Sequence, residues 1–460
     1  MTHRRIVIAA VAALMAAAAW AQGAAERVGR LVAEKDCFSL VRVLDTVPRD
    51  SLDPLLRDVA NVMTCNYFNR NDDACRLARR LISRRQQQLG IDNTFGIASL
   101  IPLNLARQGR YAQAADMAES LHAQAVDAGA PQAMADGLRS LGSYYRVLAD
   151  VGDICRQLHA GGRDLSVSFF YDRRAQAGSE GAFLAMNGHV NGVATYVGLD
   201  TGASLNVISS ADADRMRLIR LNYYIDVRGA GRRRGQLAIA DTLRIGRDMA
   251  WRNVPFVVVD MATGDSIADR AVSRGMPVMV GMPLMERLGE VSIDFVSQRI
   301  TVPSRPTPCP YKFPNMMRGD DDQLTLLVDS DGGETLRMNL DTGSYNTTLT
   351  PRWLAAHPSA ADTAQPDSVS YGAVGGTVRL RALRLPRLDI AIGPAHATIS
   401  GAMALSGAAT DGTEAATGIP SLRTGTDGTI GLAALRHFAS VTISLRGMFV
   451  TAKARTVGGG

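Results

Sequence analysis

The sequence predicts a multidomain α and β protein: a helical N-terminal region followed by a mostly-β body that contains itself twice. Three observations carry this. Apolar residues recur at helical spacing from residue 25 to about 160, as in "LLRDVANVM" and "ACRLARRLI", where Pro and Gly are scarce. From about 165 the pattern changes to short, β-branched, turn-bounded runs such as "LSVSFFY", "VPFVVVD" and "RITVPS". The segment "GLDTGASLNVIS" then returns as "NLDTGSYNTTLT" 141 positions later (341 minus 200).

The chain opens on a secretory pattern. "THRR" supplies positive charge, "IVIAAVAALMAAAAW" an apolar run, and Ala19-Trp20-Ala21 a small-x-small cleavage site. Residues 1–21 are therefore expected to be a signal peptide, and the mature protein periplasmic or secreted. An uncleaved membrane anchor is the alternative, but the run is short for a span of ~20 residues, so no stable membrane span is expected after cleavage. Loss of Arg4 and Arg5 lowers the formal charge from +6 to +4. The basic residues are scattered except for Arg232-Arg233-Arg234, and no basic stripe carries interleaved aromatics, so nucleic-acid binding is excluded as a reading. The tri-arginine reads as a solvated turn, or as a selector of acidic substrates.

Cys37, Cys65, Cys75, Cys155 and Cys309 form no C-x-x-C pair and lack zinc spacing. In an exported protein one or two bridges among the first four are expected. No metal site is expected. The seven histidines show neither ligand nor triad spacing, and Ser421 lacks a nucleophile-elbow context.

Residues 22–160 are read as one helical domain. "LARQGRYAQAADMAESLHAQA" resembles the turn and second helix of a tetratricopeptide repeat (TPR), with Gly109 at the turn and Tyr111 and Ala114 packing inward. "FNRNDDACRLARRLIS" is a looser copy 38 residues earlier, against a usual period of about 34. A generic antiparallel helical bundle accounts for the same pattern. The region is read as a module that docks a protein partner or as an inhibitory pro-segment.

The repeat in the β body extends beyond the Asp-Thr-Gly motifs. Asp200 falls on Asp341, Thr201 on Thr342 and Gly202 on Gly343. "VGMPLMERLGEVSIDF" lines up without a gap on "IGLAALRHFASVTISL", placing Gly281 on Gly431. Between these blocks lie two glycine-rich segments, "VRGAGRRRGQLAIADTLRIG" and "YGAVGGTVRLRALRLPRLDIAIG".

This order resembles the aspartic proteases, and specifically their retropepsin-like lobe, twice in one chain. The resemblance covers residues 165–305 and 326–455, joined by a proline-rich linker at 306–325. It implies a pepsin-like pseudo-dimer with the cleft between its lobes, although pairing with another chain is also open. It implies that Asp200 and Asp341 are catalytic, and that Thr201, Gly202, Ala203, Thr342, Gly343 and Ser344 support the active-site loops. Gly229, Gly231, Tyr371, Gly372, Gly375 and Gly376 become candidates for flaps that close over a peptide. Gly281 and Gly431 would shape the floor beneath the aspartates. No cofactor is implied.

The residue types suit that chemistry. Two adjacent carboxyls share one proton; the ionised one activates water and the protonated one polarises the scissile carbonyl. A Ser344 hydroxyl bonded to Asp341 would make Asp341 the more readily ionised member. Asp294, which faces Ser444 in the repeat, reads as a turn or ion-pair residue. The expected function is exported aspartic endopeptidase acting on peptides or proteins. An inactive peptide-binding module of the same fold, or a TPR-like scaffold, are the rivals.

Overall fold

The computed structural model describes residues 23–48, 51–158, 161–172, 183–229, 231–260, 278–330, 332–374, 376–406 and 425–455. The expected signal peptide, Gly375 and Ser421 lie outside these residues. The chain forms two compact units, one of residues 1–154 with 311–321 and one of 155–310 with 322–460.

The first unit is helical: Ala24–Ala33, Cys37–Thr46, Pro54–Tyr67, Asn71–Arg107, Tyr111–Asp127 and Gln132–Val151. Its helix starts carry their own caps. Asp36 accepts from the Ser39 N–H at 3.1 Å, and Asp53, just before Pro54, accepts from Leu55 and Leu56. The long helix is broken by non-helical backbone at Arg85 and Gly90, where Gly90 has φ 72°. Small residues let the last two helices approach: Ala114, Ala115, Ala118 and Ala125 are all fully buried. Phe95, Leu121, Met134 and Leu138 fill the adjoining core.

Gly109 does sit in a left-handed turn, φ 76°, and its counterpart is Asn69 at φ 54°. These two turn residues are 40 positions apart (109 minus 69), a wider spacing than the 38 read from the sequence or the ~34 of a regular TPR. Ala114 is buried and Tyr111 half-buried. No disulfide joins the cysteines: Cys37, Cys65, Cys75 and Cys155 are buried thiols and Cys309 is exposed. The expected staple is thus replaced by apolar packing, and burial pushes the Cys155 thiol up to about 12.

Residues 311–321 complete this unit. Asp320 accepts from the Tyr67 hydroxyl and from the Lys35 ammonium, each at 2.7 Å. Lys312 pairs with Asp45 at 2.9 Å, and Met316 is fully buried. Half of the expected linker therefore belongs to the helical fold.

The second unit is β, and its two copies have matching topology. The strand Val193–Leu199 ends at Asp200; it pairs antiparallel with Phe183–Val190 and parallel with Val278–Val280. The strand Thr335–Leu340 ends at Asp341; it pairs antiparallel with Leu324–Ser330 and parallel with Gly428–Ile430. Beyond each aspartate a two-residue strand, Val207–Ile208 or Thr348–Leu349, lies between the parallel partner and a further strand.

The copies also meet through their last repeated strands. Glu290–Asp294 and Phe438–Ser444 pair antiparallel with Val291 opposite Ile443 and Ile293 opposite Val441. Since Val291 is the repeat counterpart of Val441 and Ile293 of Ile443, the contact is self-complementary, as across a two-fold axis. All four side chains are fully buried. Asp294 makes a local turn, accepting from the N–H groups of Val296 and Ser297.

Replacing Asp320 with Ala leaves the buried Tyr67 hydroxyl without that acceptor, at a cost of about 1–3 kcal/mol. Urea unfolding followed by helical circular dichroism should report a loss of that size. No change would mean that residues 311–321 add nothing to the helical unit.

Candidate active site

Both Asp-Thr-Gly motifs occupy a loop that follows a buried strand, and the two loops lock together. The Thr201 N–H donates to Thr342 Oγ1 at 3.0 Å, and the Thr342 N–H donates to Thr201 Oγ1 at 3.0 Å. Each hydroxyl then donates across to the opposite strand: Thr201 to the Leu340 carbonyl at 2.9 Å, Thr342 to the Leu199 carbonyl at 2.8 Å. Both threonines are essentially inaccessible to water. The four bonds satisfy every polar group that the contact buries on these side chains.

The glycines explain themselves at this contact. A methyl on Gly202 would lie 2.5 Å from Asp341 Cγ, and one on Gly343 would lie 2.5 Å from either carboxyl oxygen of Asp200. Each motif's glycine thus makes room for the other motif's carboxyl. Each carboxyl thus lies against the opposite motif's glycine, which sets the two side by side, and both aspartates are half-buried.

The pair is electrostatically unequal. Burial raises both carboxyls above their ordinary range. Asp200 is raised furthest, first by burial and next by the charge of Asp341. Asp341 is likewise raised by burial, but is held lower by backbone N–H bonds from Ser344 and Gly343 and by the Asp200 hydrogen bond. Those N–H groups donate to Asp341 Oδ1 at 3.0 and 2.9 Å. Asp200 Oδ1 accepts from the Gly202 N–H at 2.8 Å. Backbone bonds from Gly202 and Ala203 hold Asp200 down as those of Gly343 and Ser344 do Asp341, so it is the charge of Asp341 that sets Asp200 higher. The Ser344 hydroxyl takes no part: it donates to the Asn346 carbonyl at 3.2 Å. Its backbone N–H acts in its place.

A second layer fixes the loops. The Ala203 and Ser344 carbonyls accept from the first N–H groups of the helices Met282–Leu288 and Leu432–Leu435. Gly281 and Gly431 precede those helices, and a methyl on either would collide with the Ala203 or Asn346 carbonyl. Two residues not singled out in the sequence complete the layer. Asn206 Oδ1 accepts from the Gly281 N–H at 2.9 Å, and Thr347 Oγ1 from the Gly431 N–H at 3.2 Å. They share the 141-residue offset of the aspartates, which was the signal available. Gln323, in the expected linker, donates to the Gly202 carbonyl.

The glycine segments form two hairpins, Ile219–Arg228 with Arg232–Ile245 and Gln365–Ala373 with Gly376–Arg384. Gly229 and Gly231 bracket the first tip, while Tyr371 and Gly372 lie in the rising strand of the second. No group of three or more metal-ligating side chains occurs among the described residues, and no described helix is long and apolar enough to cross a membrane.

Comparison with known proteins bears on the first of the two copies. Residues 186–283 match the family model described as aspartyl protease. No curated protein matches the chain. Among solved structures, a retropepsin-like aspartic protease from Rickettsia conorii aligns at 20% identity over 32% of this chain and 94% of its own, with a TM-score of 0.20. Basic 7S globulin from soybean aligns at 11% identity over 64% of this chain and 97% of its own, with a TM-score of 0.36. The family match supports an aspartyl protease fold for the segment that carries Asp200 and Gly281.

Thr201→Val and Thr342→Val each remove a hydroxyl that accepts one buried bond and donates another. Each should cost about 2–4 kcal/mol in unfolding free energy, with a larger loss of any peptidase activity, because the carboxyls shift together. Equal stability in wild type and both variants would sink the interlock as a structural element.

Proposed function

We propose that the protein is an exported aspartic endopeptidase in which the two copies form the lobes of one catalytic unit. The observation that carries this reading is the reciprocal threonine interlock that brings Asp200 and Asp341 side by side. Asp341 acts as base toward a water between the carboxyls, and Asp200 donates its proton toward the scissile carbonyl oxygen. The water adds to the carbonyl carbon as Asp341 takes its proton; Asp341 passes that proton to the amide nitrogen, and the C–N bond breaks as Asp200 takes back a proton from a hydroxyl of the tetrahedral intermediate. The glycine hairpins cover the peptide and bind its backbone as an added strand. No metal or cofactor enters this scheme.

Export rests on the pattern of residues 1–21. The helical unit is read as a partner-docking module that remains with the enzyme. Its inclusion of residues 311–321 speaks against a shed pro-segment, because that stretch lies between the two aspartate motifs.

Cleavage of casein by the mature chain, by Asp200→Ala and by Asp341→Ala tests the reading over about pH 3–8. The mature chain should cut and both variants should be silent. The profile should be bell-shaped, rising as Asp341 ionises and falling as Asp200 loses its proton. Since both groups are raised, both limbs should lie above about pH 4, the ordinary carboxylate value. Activity that survives either substitution would rule out a shared dyad. Residues 1–21 are tested separately: N-terminal sequencing of the exported protein should begin at Gln22.

A further inference from the structure

The two glycine hairpins touch at their tips, where the Gly231 N–H donates to the Val374 carbonyl at 3.1 Å. Each hairpin is also tied to its own aspartate loop. The first pairs with Met249–Val258, whose Val257 N–H donates to the Asn206 carbonyl at 2.8 Å. The second pairs with Met403–Leu405, which lies beside Thr348–Leu349. The copies are thus joined at the aspartates and again at the hairpin tips. On the peptide-hydrolysis reading, a peptide held by the dyad is covered by these hairpins.

The faces of the hairpins differ in charge. Directly opposed residues of an antiparallel pair share a face. On the first hairpin Val227 opposes Arg233, and Ile225 opposes Gly235. This face is the inner one. A methyl on Gly235 would lie 3.2 Å from Val227 Cγ2 and 3.3 Å from the Val258 carbonyl, and Leu237, two positions on, is fully buried. Arg228 opposes Arg232 and Asp226 opposes Arg234 on the outer face, where the Arg234 guanidinium lies 4.5 Å over the exposed Tyr224 ring. The arginine triplet therefore divides. Arg232 and Arg234 point outward, while Arg233, exposed, is the last inward residue before the tip. On the second hairpin the matching face is apolar toward the tip, where Val369 and Ala382 are buried with Tyr371, Val378 and Leu380 beside them, and carries the Asp367–Arg384 ion pair nearer its base.

We infer that Arg233 is a specificity-determining residue of the cleft, selecting a peptide with an Asp or Glu side chain near the scissile bond. This rests on the peptide-hydrolysis reading above. A guanidinium presents a planar fork that a carboxylate meets in two parallel hydrogen bonds. Arg233 is exposed in the free protein, so the pair gains from this fork geometry and from what the bound peptide covers. On the second hairpin the charges of this face, Asp367 and Arg384, pair with each other away from the tip, so the selection acts on one side of the scissile bond. A lysine or arginine in the same place meets like charge and is rejected.

The test uses the full chain with two fluorogenic peptides that differ only by Glu or Gln beside the scissile bond, placed on each side in turn. Wild type should prefer Glu by about tenfold in kcat/KM, mainly through KM, on one side. Arg233→Gln should abolish the preference, and Arg233→Glu should transfer it to a Lys peptide. Arg232→Gln and Arg234→Gln should keep it within about twofold, because these side chains lie on the other face of the hairpin. The preference should fade below about pH 4, where the substrate carboxylate is protonated. No Glu preference in wild type, its survival in Arg233→Gln, or its equal loss in all three Gln variants would each overturn the inference. If the chain cleaves neither peptide, fluorescence anisotropy of the same peptides bound to Asp200→Asn decides. A Glu preference lost on adding Arg233→Gln supports the role, and its absence overturns it. Absence of cleavage by itself counts only against hydrolysis.

Discussion

Two carboxyl groups in contact cannot both ionise at ordinary cost, and the β unit is organised around holding such a pair together. The Thr201–Thr342 interlock does this with four buried hydrogen bonds. Its demands propagate outward. Gly202 and Gly343 must lack a Cβ because the opposing carboxyl occupies that space. Gly281 and Gly431 must lack one because the loop carbonyls do. Asn206 and Thr347 then tie those glycines back to the loops. An uncompensated change in any of these residues reaches the carboxyls through one or two contacts.

Duplication gives the pair its symmetry, and divergence gives it direction. The strands Glu290–Asp294 and Phe438–Ser444 pair in a self-complementary register, and the main supports recur at matched positions. Yet Asp200 is raised further than Asp341, because the charge of its partner adds to burial there, so the two members are not equivalent. The hairpins have diverged further, one carrying an inward arginine and the other a face that is apolar toward its tip. A duplicated chain can vary each half separately, which a pair of identical chains cannot do.

Much of this was legible in the sequence because it repeats. The aspartates, threonines and glycines stand out through a shared offset and through chemistry that only those residue types satisfy. The helices were legible through their 3.6-residue period and the scarcity of Pro and Gly. What escaped detection depends on long-range contact. Asp320 meets Tyr67 across 253 positions, which no local pattern records, so residues 311–321 read as a linker. Asn206 and Thr347 differ in type and were passed over despite their common offset. The Ser344 hydroxyl was assigned to Asp341, but it turns to Asn346 while the backbone N–H makes the bond. The cysteines suggested bridges by number alone, whereas four of them pack as buried thiols.

The central claim is that Asp200 and Asp341 are one titrating pair. A double-mutant cycle in unfolding free energy, with Asp200→Asn, Asp341→Asn and both together, measures it from about pH 4 to 8. Both groups are raised by burial, so the wild type is favoured when they are protonated and loses stability as pH rises through their folded values. Each single variant should therefore gain stability over wild type toward neutral pH. The gains should fail to add in the double variant, because removing either carboxyl already relieves the other. Gains that add within about 0.5 kcal/mol, or that do not change with pH, would contradict a shared site.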